Sequence, residues 1–136
     1  MSSNSVEVVL QFEQVINSHN PGAVVALLTP DSVFVDSLGS RVQGVEKLRV
    51  AWEGYFKMVP DYSVSHDEIF EHGNTVAMFG SARGTFSQDG QLRKENFWTM
   101  PAAWRAVVRG GKIASWQVFT DNEPIRAIMR RPPGKD

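Results

Sequence analysis

The chain contains no cysteine among its 136 residues. That excludes disulfides, thiolate nucleophiles and cysteine-held metals together, and it leaves the compartment open. No apolar run approaches the ~20 residues that a membrane-spanning helix requires. Positive charge is not in excess either: 14 Lys and Arg stand against 15 Asp and Glu, for a net charge of −1. The basic footprint of a nucleic-acid binder is therefore missing. The opening Met1-Ser2-Ser3-Asn4-Ser5 is polar, without the basic and then apolar stretches of a signal peptide. The expectation is a cytoplasmic protein with no nucleic-acid or membrane partner.

What is present is the composition of an ordinary globule, 42% hydrophobic and 21% charged, long enough to bury one core. One domain over 1–136 is expected, with Arg130 to Asp136 as a disordered tail. Val6, Val9, Leu10, Phe12, Glu13 and Ile16 recur at helical spacing between Ser5 and Ser18. Asn20 followed by Pro21 opens a second short helix to Leu28, broken by Thr29-Pro30-Asp31. Val33-Phe34-Val35 is a short strand that Asp36-Ser37-Leu38-Gly39 turns back on itself. Gly44 to Met58 is a third helix with Val45, Leu48, Trp52, Tyr55 and Phe56 on one face, ending before Pro60.

The remainder reads as β. Strands are expected over Tyr62–Glu71, Thr75–Phe86, Leu92–Val108 and Lys112–Asp121, with turns at His72-Gly73-Asn74, Gln88-Asp89-Gly90 and Gly110-Gly111. Pro101 marks a kink in the third of these, and Pro124–Met129 a closing helix. Three helices followed by a four-strand meander make an α+β domain. Strands carrying Gly80, Gly84 and Pro101 will curve. A bent antiparallel sheet wrapped by helices encloses an apolar cavity.

Several segments in this order carry a family resemblance: Leu27-Leu28-Thr29-Pro30-Asp31-Ser32-Val33-Phe34-Val35-Asp36, Gly44 with Trp52 in the third helix, Met58-Val59-Pro60-Asp61, and Gly111-Lys112-Ile113-Ala114-Ser115-Trp116. Over Val6 to Met129 the chain resembles the nuclear-transport-factor-2-like (NTF2-like) superfamily, in its SnoaL-like and ketosteroid-isomerase-like branch. The resemblance implies a cone-shaped, cystatin-like fold, a small apolar ligand or substrate, no cofactor, no metal and a homodimer. It does not imply one activity, because this fold hosts isomerases, cyclases, hydrolases and pure binders.

Position by position, the resemblance places Asp36 where the isomerases hold their base. Their phenol falls on Phe12, a second pocket phenol on Trp52, and their acidic donor on Ala103. Those isomerases stabilise an enolate oxygen with the phenol and the acid, and an oxyanion donor contributes about 3 kcal/mol of barrier lowering. Neither Phe12 nor Ala103 donates a hydrogen bond, so the known steroid scheme is not expected. The epoxide-hydrolase branch needs an Asp where this chain has Val118, and its relay is absent. A polyketide-cyclase acid near the end of the last strand finds Asp121.

Each candidate has two readings. Asp36 is either a general base at the cavity mouth or the first residue of a turn bonding its own backbone. Asp121 is either a weaker acid candidate or a strand-end turn. Phe12, Leu28, Trp52, Ala103, Trp116, Val118 and Thr120 are expected to line the pocket, the last three on one face of the last strand. Arg83 and Arg105 either point inward toward Asp36, Glu95 or a substrate carboxylate, or are outer-face charges. His19 and His72 are expected in solvent. His66 with Asp67 and Glu68 cannot converge on a metal from adjacent strand positions. Trp98 and Trp104 are candidates for an outer, dimer-forming face. Three functions remain open: a proton-transferring isomerase or cyclase, a non-catalytic binding module, and a dimerisation domain that fills its own pocket.

Overall fold

A computed structural model describes residues 5–131; the expectations for Met1–Asn4 and for Pro132–Asp136 lie outside the described residues. Helix α1 (Ser5–Asn17) forms because Val8, Val9, Phe12 and Ile16 share one buried face. Asn20 caps α2 (Pro21–Ala26) by accepting from the Ala23 N–H, and Pro21 supplies the preset backbone of the first turn. Strand β1 (Leu28–Val35) then leads through a turn to β2 (Arg41–Gln43), and α3 (Val45–Met58) buries Leu48, Trp52 and Phe56. The long strands β3 (Ser63–His72), β4 (Thr75–Thr85), β5 (Phe97–Arg109) and β6 (Lys112–Phe119) follow, and α4 (Glu123–Met129) closes the described chain.

The sheet has six strands in the order β2-β1-β6-β5-β4-β3. Three details correct the sequence reading. Strand β1 starts at Leu28, through the residues read as a break; its ladder is irregular between Leu28 and Val33, which accommodates Pro30. Its pairing with β6 is parallel, so the sheet is mixed and not antiparallel throughout. Strand β5 begins at Phe97, because Asp89 holds the preceding loop: its carboxylate takes the Gln91 N–H and both terminal nitrogens of Arg93.

The curvature has local causes. Gly80 lies beside the β3 irregularity between His66 and Glu68, where a Cβ would stand 2.0 Å from the Ser65 carbonyl oxygen. Only glycine permits that approach. Gly110 and Gly111, both at positive φ, make the tight β5–β6 turn. Pro101 sits beyond the last β5–β6 pair, Ala103 with Phe119, so its missing N–H costs no bond on that side.

The helices cover one face of this bent sheet. Asn17 at the end of α1 exchanges two 2.9 Å hydrogen bonds with the Val64 backbone. His19 donates from Nε2 to the Tyr62 carbonyl oxygen, which fixes the Nε2–H tautomer, and its ring meets Phe56 edge-on at 5.6 Å. His19 is thus half-buried and structural, not solvated. Buried Glu13 of α1 reaches Nδ1 of His66 at 2.9 Å. The partner of His66 comes from a helix packed over it, not from Asp67 or Glu68. Arg130 and Arg131, assigned by sequence to a tail, are tied back to Glu123 and to the Glu95 carbonyl oxygen.

Candidate functional site

Between the concave face of the sheet and helices α3 and α4 lies a cavity of about 410 Å³, within the range that holds small-molecule ligands. Its walls are apolar and aromatic. Strands supply Phe34, Ala82, Met100, Trp104 and Trp116, and α3 supplies Leu48, Trp52 and Tyr55. The space exists because small inward residues, Ala82 and the buried Ala102 and Ala106, alternate along the sheet with large ones. Trp104 and Trp116 stack at 6.3 Å between ring centres with 27° between planes, a flat wall for a ligand ring.

Polar groups are few and gather in two places. At the rim, where β1 and β6 end and α4 begins, stand Asp36, Ser37, Thr120, Asn122 and Arg126. One Asp36 carboxylate oxygen, Oδ1, accepts from the N–H groups of Leu38 and Ser40, both at 2.9 Å. Among the described residues Oδ2 has no partner. Asn122 donates to Ser37 Oγ at 2.5 Å, and the Thr120 hydroxyl donates to the Pro101 carbonyl oxygen at 2.8 Å. On the far side, across the sheet, lie Tyr55 and Tyr62, edge to face at 4.9 Å. Burial raises the phenol of Tyr55 far above the ordinary tyrosine range. Tyr62 is raised too, by burial first and by the neighbouring Tyr55 second. Among the described residues, no protein group bonds either hydroxyl. Nearby, Trp98 packs on Tyr62 at 6.1 Å and its indole N–H is buried without a partner.

Residues 9–116 match the family of SnoaL-like domains. The chain belongs to that family. No curated protein matches it in sequence, but solved structures agree in fold. A protein of ketosteroid-isomerase-like fold from Catenulispora acidiphila, solved with trimethylamine, superposes at a TM-score of 0.78 and 20% identity. The match covers 96% of this chain and 97% of that one. A candidate SnoaL-like polyketide cyclase from Shewanella denitrificans gives 0.80 at 12% identity, covering 95% and 98%. A candidate polyketide cyclase from Xanthomonas campestris gives 0.77 at 14%, covering 88% and 92%. These likenesses establish the nuclear-transport-factor-2-like fold, not a reaction.

Within this SnoaL-like domain the expected site residues divide. Asp36, Trp52, Trp116, Val118 and Thr120 lie on the cavity wall. Phe12 and Leu28 do not. Phe12 is wholly buried behind the wall, edge-on to Trp116 at 4.8 Å and to Trp52 at 6.4 Å. Leu28 is core at the start of β1, opposite Ile113. Ala103 faces the other way, in a row with Phe79 and Phe119 on the convex side of the sheet. Its neighbours Ala102 and Trp104 point inward, since one residue of offset changes the face.

Arg83 and Arg105 share that convex side and are exposed, so neither reaches the cavity. Asp121 is exposed and its Oδ1 accepts from the Glu123 N–H; it starts α4 rather than the site. Trp98 and Trp104 are each 2% exposed and belong to the core, not to an outer face. The sequence reading missed Tyr55 and Tyr62 as cavity-wall residues and the contribution of α4 through Ile125, Arg126 and Met129. Tyr55 was visible on the α3 stripe, but spacing alone does not reveal whether a hydroxyl finds a partner.

Proposed function

We propose that this SnoaL-like domain binds a small, largely apolar molecule in the cavity and transfers a proton on it without a cofactor, with Asp36 as base. The class is an isomerisation or cyclisation. The observation that carries the reading is the one carboxylate on the wall of a largely apolar cavity. Two backbone N–H groups fix its Oδ1 and leave Oδ2 available to take a proton. General-base catalysis of this type contributes roughly a hundred- to ten-thousand-fold.

One observation favours a second reading, a carrier without catalysis. Asp36 also serves its own turn, donating its N–H to the Ser40 carbonyl oxygen and accepting the Gly39 N–H on its own. A rigid fused-ring diketone, androstenedione, separates the two. In heavy water the protein is expected to speed exchange of the hydrogens beside a carbonyl, read by mass spectrometry. Asp36→Asn should keep binding and lose a hundred-fold or more of the acceleration. Binding without any acceleration by the unmodified protein would establish the carrier reading instead.

A second copy of the chain is the partner we propose for the convex face. Phe70, Phe79 and Phe119 are exposed there, with Phe70 and Phe79 in ring contact at 6.2 Å. Glu68 and Arg105 on the same face provide both signs of charge for a two-fold pairing. Light scattering at tens of micromolar should give a dimer, and Phe79→Asp a folded monomer. A monomeric unmodified protein would remove this partner.

A further inference from the structure

The two tyrosines of this chain are its only phenols, and they stand side by side on the cavity wall. Tyr62 is nine-tenths buried, yet its hydroxyl bonds to nothing within the described protein. Both side chains line the cavity and neither hydroxyl is bonded within the described protein, so an acceptor oxygen in that space can take both donors. Neither hydroxyl belongs to the buried polar atoms sealed from the cavity, which are Ser87 Oγ and Trp98 Nε1. No cation joins them: among the described residues the one cation on the cavity wall, Arg126, comes from α4 at the rim.

Their place in the fold separates them from Asp36. Asp36 follows β1 and Tyr62 precedes β3, with β6, β5 and β4 between. Four interstrand steps are about 19 Å along the curve of the sheet, and less across its hollow. Asp36 and the phenols therefore stand on separate parts of the cavity wall.

We infer that Tyr55 and Tyr62 form a two-phenol subsite that donates hydrogen bonds to an uncharged acceptor oxygen, of carbonyl type, at the end of the ligand remote from Asp36. The inference rests on the cavity being the ligand site, and it adds the substrate class: a neutral, elongated molecule with an acceptor at one end and an acidic C–H at the other. The phenols are positioning residues. They hold the ligand in one of its two possible directions while the rim does the chemistry.

The test uses androstenedione, which carries a carbonyl at each end of a rigid ring system. Bound to the unmodified protein, one of its two carbonyl stretching bands should move to lower frequency than in an apolar solvent. Tyr55→Phe and Tyr62→Phe each remove one oxygen and keep the ring, so melting curves should confirm that both fold. Each should weaken binding roughly three- to ten-fold, and the double variant should return the band to its apolar-solvent position. Asp36→Asn should leave that band where it is. Tight binding with an unshifted band, or a double variant that binds like the unmodified protein, would overturn the inference alone. Failure of the unmodified protein to bind the diketone would overturn the cavity reading and the inference with it.

Discussion

The two faces of this sheet are built from the same strands by alternate residues, yet they meet different surroundings. Along β5 the inward series Trp98, Met100, Ala102, Trp104 and Ala106 is buried under helices, and the outward series Thr99, Pro101 and Arg105 is exposed. Ala103, between them, lies with Phe79 and Phe119 on the outside. Both faces carry large apolar residues. Inside they are interleaved with alanines, which leaves a hollow; outside they form a row left exposed by the described residues. A hollow suits a small molecule, and a flat row suits another surface.

The largest expected effect compares neighbours on opposite faces. Ala102→Asp puts an unpaired charge under the helices and should cost about 3–5 kcal/mol in denaturant unfolding, while Ala103→Asp should cost under about 1 kcal/mol. Equal costs would mean that β5 does not present Ala102 to the helices and Ala103 to the outside. Truncating aromatics gives the next contrast: Trp104→Ala should lose about 3–5 kcal/mol, whereas Phe79→Ala should act mainly on self-association.

Base titration gives a smaller and more specific contrast, since both tyrosines line the cavity on the inner side of the sheet. The unfolded chain ionises its phenols near pH 10, while the folded state keeps them neutral to higher pH. Their contribution to stability is therefore full below about pH 10 and is lost as pH rises beyond it. Phenolate absorbance should stay absent through pH 10 in the folded protein and then appear together with unfolding. A normal titration of either tyrosine in the folded state would show that its hydroxyl is not buried. Smallest of all, Arg105→Ala on the outside should fall within about 0.5 kcal/mol of the unmodified protein.

Much of the architecture was legible because local chemistry and global fold agree. His72-Gly73-Asn74 and Gly110-Gly111 lie at the strand connections where turn residues predict them, and Asn20-Pro21 opens α2. Alternation placed Trp116, Val118 and Thr120 on the inner face of β6, but the faces of β4 and β5 were not legible. Met78 and Phe79 of β4, or Ala103 and Trp104 of β5, offer two apolar phases, so alternation alone could not say which one faces the helices. That ambiguity left Arg83 and Arg105 undecided, and the family comparison put Ala103 in the pocket one residue out of phase. Strand β1 was cut short because Pro30 argues against a ladder that in fact skips past it. Asp36 posed two readings that exclude each other on paper; in the fold its Oδ1 makes the turn while the residue also stands on the cavity wall.

The central claim is that the hollow side of the sheet is a ligand site. Its most direct test is a tryptophan-fluorescence titration with androstenedione, run on the unmodified protein and on Ala51→Trp. Ala51 is exposed on α3 yet lines the cavity, so a large side chain there blocks the opening and spares the core. We predict saturable binding of one molecule per chain by the unmodified protein, and loss of that binding in a variant that still melts normally. Equal binding by the two proteins, or no saturation by either, would contradict the claim.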